Sequence, residues 1–283
     1  MSTQAESSTG IRLVALAGNP NCGKTSVFNA LTGSRQRVGN YPGITVERIE
    51  GTMDLPDGSR VRVLDLPGSY SFLAASDDER IARDALLGLA GMERPDAVIA
   101  VVDASNLERN LYFATQLFES GLPICIALNM CDVAERHGVP VDAEELERVL
   151  EVPVVPVHGR DGANIDRLKE ALLRARSPGR RWTMPREGEE LLGNVREAVE
   201  AAGIVPNGAA EGEALRLLTH AEDDDPFLER GGEALQGAVR EARKSLEEQG
   251  IDREALEAEC RYAVCNDFAR QVRKMHTEPG PSN

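Results

Sequence analysis

The sequence predicts an α/β fold, a mostly parallel sheet with helices on both faces, followed by a small all-α domain. Three observations carry this reading. Short apolar, β-branched runs alternate with helical stretches over the first ~175 residues, the pattern of strand–helix–strand units. The first run ends in a glycine-rich turn that opens a helix. Beyond residue 177 strand signals cease and only helical periodicity continues.

Taken in order, residues 11–17 form the first strand, and the turn after it leads into a helix over 24–32. Residues 33–45, rich in Gly and Pro, read as a loop. Strands follow at 46–55 and 60–66, joined by the turn Pro56-Asp57-Gly58. Further strands fall at 97–103, 123–129 and 152–157, with helices at 77–89, 107–120, 142–150 and 165–176. Pro178, Gly179 and Pro185 mark a border. After it a four-helix appendage is expected, broken near Gly203, Pro206, Pro226 and Gly250, with Leu191, Val195 and Val199 along one helix face. The division is thus 11–176 and 177–275, with 1–10 and 276–283 as disordered ends. Trp182 is placed at the join of the two domains.

The chain has 283 residues, of which 41% are hydrophobic and 28% charged, a globular balance. Its net charge is −15, against a protein built to neutralise nucleic-acid backbone. The segment from 180 onward carries slightly more than half of that charge on a much shorter length, which disfavours it as an RNA-binding module. Five cysteines, an odd number, argue against a disulfide framework and for a reducing cytosol. Cys260 and Cys265 are five apart, the wrong spacing for one helix face and so for a metal pair. No apolar run reaches the ~18 residues that cross a bilayer, and the polar start is no secretory signal. The acidic run from Glu222 to Asp225 reads as a turn and cap before Pro226.

Gly18, Asn19, Pro20, Asn21, Cys22, Gly23, Lys24 and Thr25, followed by Ser26, fit the phosphate-binding loop of a P-loop NTPase. Glycines let the backbone wrap a phosphate, and the helix N-terminus faces the anion. Lys24 reaches the β- and γ-phosphates, and Thr25 offers a hydroxyl to Mg²⁺. Asp65, ending a strand before Leu66-Pro67-Gly68, can hold Mg²⁺ through a water, and the Gly68 N–H can meet a γ-phosphate. Asn129, Met130 and Asp132 end another strand. There a carboxylate accepts two hydrogen bonds from guanine, which adenine cannot supply, with Asn129 bracing the loop and Met130 covering the base. Gly43 and Ile44 lead to Thr45, whose hydroxyl completes Mg²⁺ only with a γ-phosphate present. All lie at strand ends, where ligands of open α/β sheets gather. Together they specify a Ras-like G domain that binds GTP and GDP.

These stretches, with Asn40-Tyr-Pro-Gly43 and Asp103-Ala-Ser-Asn-Leu-Glu-Arg-Asn110, closely resemble the cytosolic domain of the ferrous iron transporter FeoB family over most of 11–175. The resemblance implies a GTPase that gates Fe²⁺ passage through a membrane-embedded permease part lying outside this chain. It also implies a helical domain that slows GDP release, and a place at the cytoplasmic face of the inner membrane. The chain then reads as the soluble N-terminal portion of a longer protein, with guanine nucleotide and permease as partners and self-association admitted as a further interaction. Ser69 stands where Ras-like GTPases carry a water-orienting Gln, so slow turnover is expected. The resemblance supplies K⁺ instead, held with the help of Asn21 and stimulating hydrolysis together with Lys24, Thr45 and Gly68. The usual Ser-Ala of the last guanine-binding element is replaced by His158-Gly159, which predicts only moderate guanine preference. A ribosome-assembly GTPase and a nucleotide-binding module without hydrolysis are the alternatives. The acidic tail counts against the first, and Lys24, Thr25, Thr45 and Asp65 against the second.

Overall fold

The computed structural model describes residues 10–41, 46–73 and 76–273. β1 (Leu13–Gly18), β2 (Gln36–Asn40), β3 (Glu47–Asp54), β4 (Arg60–Asp65), β5 (Ala97–Asp103), β6 (Ile124–Asn129) and β7 (Val154–Pro156) form one seven-stranded sheet. Its order is β2-β3-β4-β1-β5-β6-β7, antiparallel through β2, β3 and β4 and parallel from β4 to β7. β1 and β6 are buried along their whole length, as suits their apolar sequences, broken only by Asn129 at the end of β6, between two helical layers.

One layer holds α1 (Lys24–Thr32) and α6 (Ile165–Leu172), where Val27, Phe28, Leu31 and Leu168 meet Leu16, Val63 and Ile99. The other holds α2 (Asp77–Leu87), α3 (Leu107–Leu117), α4 (Cys131–Arg136) and α5 (Ala143–Leu150). α2 begins on a serine cap, Ser76 accepting from Glu79 N at 3.3 Å. β2 lies inside the segment read from sequence as a loop, and the short α4 went unread. The other elements of this part occur as expected, with ends shifted by a few residues.

The rest is helical: α7 (Arg186–Ala202), α8 (Ala210–Thr219), α9 (Pro226–Glu248) and α10 (Arg253–Val272). Asp225 caps α9 by accepting from Phe227 N at 2.9 Å, as the acidic turn predicted. α9 breaks at Gly232, whose φ of 75° leaves the helical range. On α7 the buried stripe is Leu192, Val195 and Val199, with Leu191 only half-buried. α10 divides its allegiance. Leu256, Cys260 and Val264 pack on the α7–α9 core, while Cys265, Ala269 and Val272 complete the core between α3, α5 and the sheet.

A buried ionic network welds the join. Arg261 donates to Glu119 Oε2 at 2.9 Å, to Thr115 Oγ1 at 3.2 Å and to Glu257. Trp182 Nε1 donates to Glu119 Oε1 at 2.9 Å, and the Tyr112 hydroxyl to Glu257 Oε2 at 2.9 Å. Trp182 therefore sits where the sequence put it. A second set ties α2 to α8: Arg83 pairs with Glu213 at 2.7 Å and lies 4.2 Å over the Phe227 ring. No helix among the described residues is long and apolar enough to cross a membrane.

Candidate functional site

The parallel strands point their C-terminal ends to one edge, which gathers Gly18, Asp65, Asp103 and Asn129. Between β1 and α1 the chain makes the phosphate-type loop. Gly23 caps α1 with φ 87°, and a Cβ there would come within 2.1 Å of Asn129 Nδ2. Glycine is thus required twice, by backbone conformation and by close approach. Asn21 is exposed and also left-handed, with φ 66°, a conformation that asparagine tolerates. Thr25 and Ser26 are exposed at the head of α1, while Cys22 is buried beneath Gly18.

Lys24 Nζ forms an ion pair with Asp65 Oδ1, joining the loop to the end of β4. Burial raises the Asp65 carboxyl above its usual range, and the Lys24 ammonium acts against that rise. Beyond Asp65, Gly68 approaches Pro20 so closely that a Cβ would lie 3.2 Å from Pro20 Cα. Ser69 N donates to Gly18 O at 3.3 Å. Ser69 itself is buried and its hydroxyl donates to Pro67 O at 3.2 Å, so it offers no side chain to the open face of the loop.

Asn129 braces two loops. Its Nδ2 donates to Cys22 O at 3.0 Å, and its Oδ1 accepts from Gly159 N at 3.3 Å. One amide thereby fixes the phosphate-type loop to the loop after β7. Met130 is left-handed, with φ 60°, and its Cε lies near Gly23. Gly159 packs against α1, where a Cβ would meet Ser26 Cβ at 3.0 Å. Asp132 is half-exposed on α4, and its carboxylate is shared with Arg136 at 3.1 Å. His158 sits with Nδ1 2.7 Å from Asp161 Oδ2, inside a turn closed by His158 N to Ala163 O at 3.2 Å. Gly43, Ile44 and Thr45 lie outside the described residues.

The oxygen donors of Thr25 and Asp65 suit a small, hard divalent cation such as Mg²⁺, and buried Asp65 already accepts a cation in Lys24. The Asn21 amide oxygen is a neutral donor of the kind K⁺ accepts. Among the described residues no group of three His, Cys, Asp or Glu could hold a metal ion. Burial pushes the Cys22 and Cys131 thiols each up to about 11, so both stay protonated and unreactive at neutral pH.

Asn19, named in the phosphate-binding loop, and Tyr41, within the Asn40–Gly43 stretch, have surroundings that the sequence did not reveal. Tyr41 is buried with its hydroxyl unpartnered among the described residues, and Asp65 and Arg48 act on it electrostatically. Asn19 is 3% exposed, and both its amide atoms lack partners among the described residues. Each sits in a quoted motif, so position alone marked them. The Asp103 motif is a brace: Asp103 Oδ1 accepts from Ser105 N at 2.8 Å, and Asn110 Oδ1 accepts from Asp103 N at 3.1 Å.

Comparison with known proteins agrees with this geometry. A family model described as ferrous iron transport protein B matches residues 12–172. The Fe(2+) transporter FeoB of Legionella pneumophila (strain Paris) is 35% identical over 270 residues, covering 93% of this chain and 34% of that protein. That of Escherichia coli (strain K12) is 37% identical over 261 residues, covering 89% and 33%. The chain therefore spans about a third of the length of these curated relatives. Among solved structures, the cytosolic domain of L. pneumophila FeoB superposes with a TM-score of 0.79 at 34% identity, covering 93% of this chain and 99% of that one. NFeoB from S. thermophilus bound to GDP.AlF4- and K+ gives 0.75 at 32%, covering 92% and 100%. The chain belongs to the ferrous iron transport protein B family.

Proposed function

We propose that this chain binds and slowly hydrolyses GTP, and that its nucleotide state gates Fe²⁺ passage through a permease part of the same transporter at the cytoplasmic face of the inner membrane. The observation that carries the reading is the Lys24–Asp65 pair at the mouth of a glycine-lined loop, which Asn129 ties to the loop after β7. The relatives' names support the transporter assignment, and a neighbour's bound GDP.AlF4- and K+ supports the chemistry. Titrating GDP, GTP and ATP against the purified chain tests it; ATP binding as tight as GTP would overturn the guanine assignment.

In this reading the backbone N–H groups at the head of α1 cradle the phosphates, and Lys24 exchanges its carboxylate partner for them. Thr25, Thr45 and Asp65 would hold Mg²⁺, which neutralises phosphate charge when bound. Gly68 N–H meets the γ-phosphate, and Asp132 accepts the guanine N–H groups. Gly159, buried against α1, holds the base-side loop close to the phosphate side. His158 is drawn towards Asp161, so it adds little to base recognition.

Asn21 would help hold K⁺, which supplies positive charge where a Ras-like enzyme uses other groups. Hydrolysis is then expected to run clearly faster in KCl than in NaCl at matched ionic strength. Asn21→Ala should remove most of that response and spare GDP binding, because the phosphate cradle is backbone. The effect should fall on kcat more than KM. Identical rates in both salts refute the cation's role.

Asp132→Asn should lower GDP affinity about tenfold or more, the weight of a charge-assisted hydrogen bond of ~1.5–3 kcal/mol. Phosphate contacts stay, so ADP affinity should hardly move. An unchanged GDP-to-ADP ratio would place base recognition elsewhere.

A further inference from the structure

Among the described residues β2 is an edge without an outer neighbour. There it pairs with β3 alone, from Gln36↔Gly51 to Asn40↔Glu47, and all its residues are exposed. Its outward N–H and C=O groups have no sheet partner among the described residues and form a template for another strand. Arg37 lies opposite Glu50, and Thr52 opposite Arg62. By two-residue alternation these four side chains share one face of the sheet. With Arg35 they line a depression of about 340 Å³.

The carboxylate in this depression is already engaged. Glu50 Oε1 accepts from Arg48 at 3.0 Å and from Arg62 at 3.2 Å, and Arg62 also holds Glu93. Among the described residues neither Arg35 nor Arg37 has an ion-pair partner. In a chain of net charge −15, two guanidinium groups beside this edge, neither in an ion pair among the described residues, although Arg35 feels the Asp54 carboxylate at longer range, make the patch locally basic. Val38, 58% exposed, adds an apolar contact on the opposite face of the strand. A second copy is a poor occupant, because β2 against β2 brings the arginines of both copies to one seam, like charge on like.

We propose that β2 is a docking edge for an extended acidic segment of a partner polypeptide, which adds as a strand beside it and sets carboxylates on Arg35 and Arg37. Main-chain pairing supplies the binding, and the two guanidinium groups select the acidic sequence. The proposal stands apart from the nucleotide reading, since it uses none of the residues of the phosphate-type loop.

Short fluorescein-labelled peptides test it, one alternating Glu with Val and one alternating Lys with Val, by anisotropy at one ionic strength. The acidic peptide should bind, and amide exchange across residues 36–40 should slow. Arg35→Glu with Arg37→Glu should weaken the acidic peptide at least ~tenfold and let the basic one bind, charge choosing the partner. A melting curve matching wild type shows that the fold is kept. Equal affinity for wild type and the double variant overturns the proposal, as does binding without protection of 36–40. No binding of the acidic peptide overturns it too; phosphatidylglycerol vesicles that bind wild type and not the variant would then assign the patch to a lipid surface.

Discussion

Lys24→Ala is expected to remove tight nucleotide binding altogether. Lys24 is the fixed cation at the head of α1, largely buried and paired with Asp65. In the proposed complex it faces two phosphates. Charge-assisted hydrogen bonds contribute about 1.5–3 kcal/mol each, so losing two weakens binding roughly a hundredfold to ten-thousandfold. Calorimetric titration with GDP and GTP measures this, and the loss should be similar for both. The substitution also leaves Asp65 buried without its cation, so a modest fall in stability should accompany it. A melting curve separates the two effects, because a folded variant that binds no nucleotide has lost the contact and not the scaffold. Retained affinity would mean that residues 18–25 do not hold phosphate.

Arg261→Ala should produce the largest loss of stability in the molecule. Arg261 is 1% exposed and answers two buried carboxylates, Glu119 and Glu257. Removing one partner from a buried ionic set costs about 3–5 kcal/mol, against a typical total of ~5–15 kcal/mol. Urea unfolding at neutral pH should show it as a midpoint far below wild type. The loss should also depend on pH. Burial already holds the Glu119 carboxyl above its usual range, and Arg261 works against that rise. Without Arg261 the folded-state value climbs further above the unfolded one. A carboxyl raised in the folded state favours folding fully below its unfolded value and loses that contribution as pH rises through the folded one. The difference between variant and wild type should therefore shrink from pH 7 to pH 5. A constant difference over that range would show that both carboxylates find other partners.

The sequence displayed the parts of the fold that bury apolar runs and concealed those defined by a neighbour. β1, β5 and β6 were legible because both faces are covered and, apart from the terminal Asp103 and Asn129, their residues are apolar or small. β2 was not, because Gln36–Asn40 carries no alternating pattern and exists as a strand only by pairing with β3. α4 is too short for periodicity to speak. In the site, Lys24, Asp65 and Asn129 could each be named from motifs, but not their junctions. Asn129 touching both Cys22 and Gly159 depends on chain segments 107 and 30 residues away. Gly159 illustrates the gap well: a sequence shows a missing Ser-Ala, whereas the structure shows how tightly that position packs, since a Cβ there would press on Ser26 and Val27 of α1. The ionic weld from Glu119 to Arg261 spans 142 positions, and nothing local announces it.

α10 gives this protein an unusual order of assembly. The chain leaves its first core after α6, builds three helices elsewhere, and returns with Cys265, Ala269 and Val272 to fill a space beside α3 and α5. Such late closure raises the mean sequence distance of native contacts and slows folding. During synthesis the emerging sheet must wait with that side uncovered until Val272 has cleared the ribosome, the interval in which exposed apolar surface invites aggregation. α10 is therefore the fastener of the core beside the sheet, and that core and the α7–α9 helices should melt as a single cooperative unit.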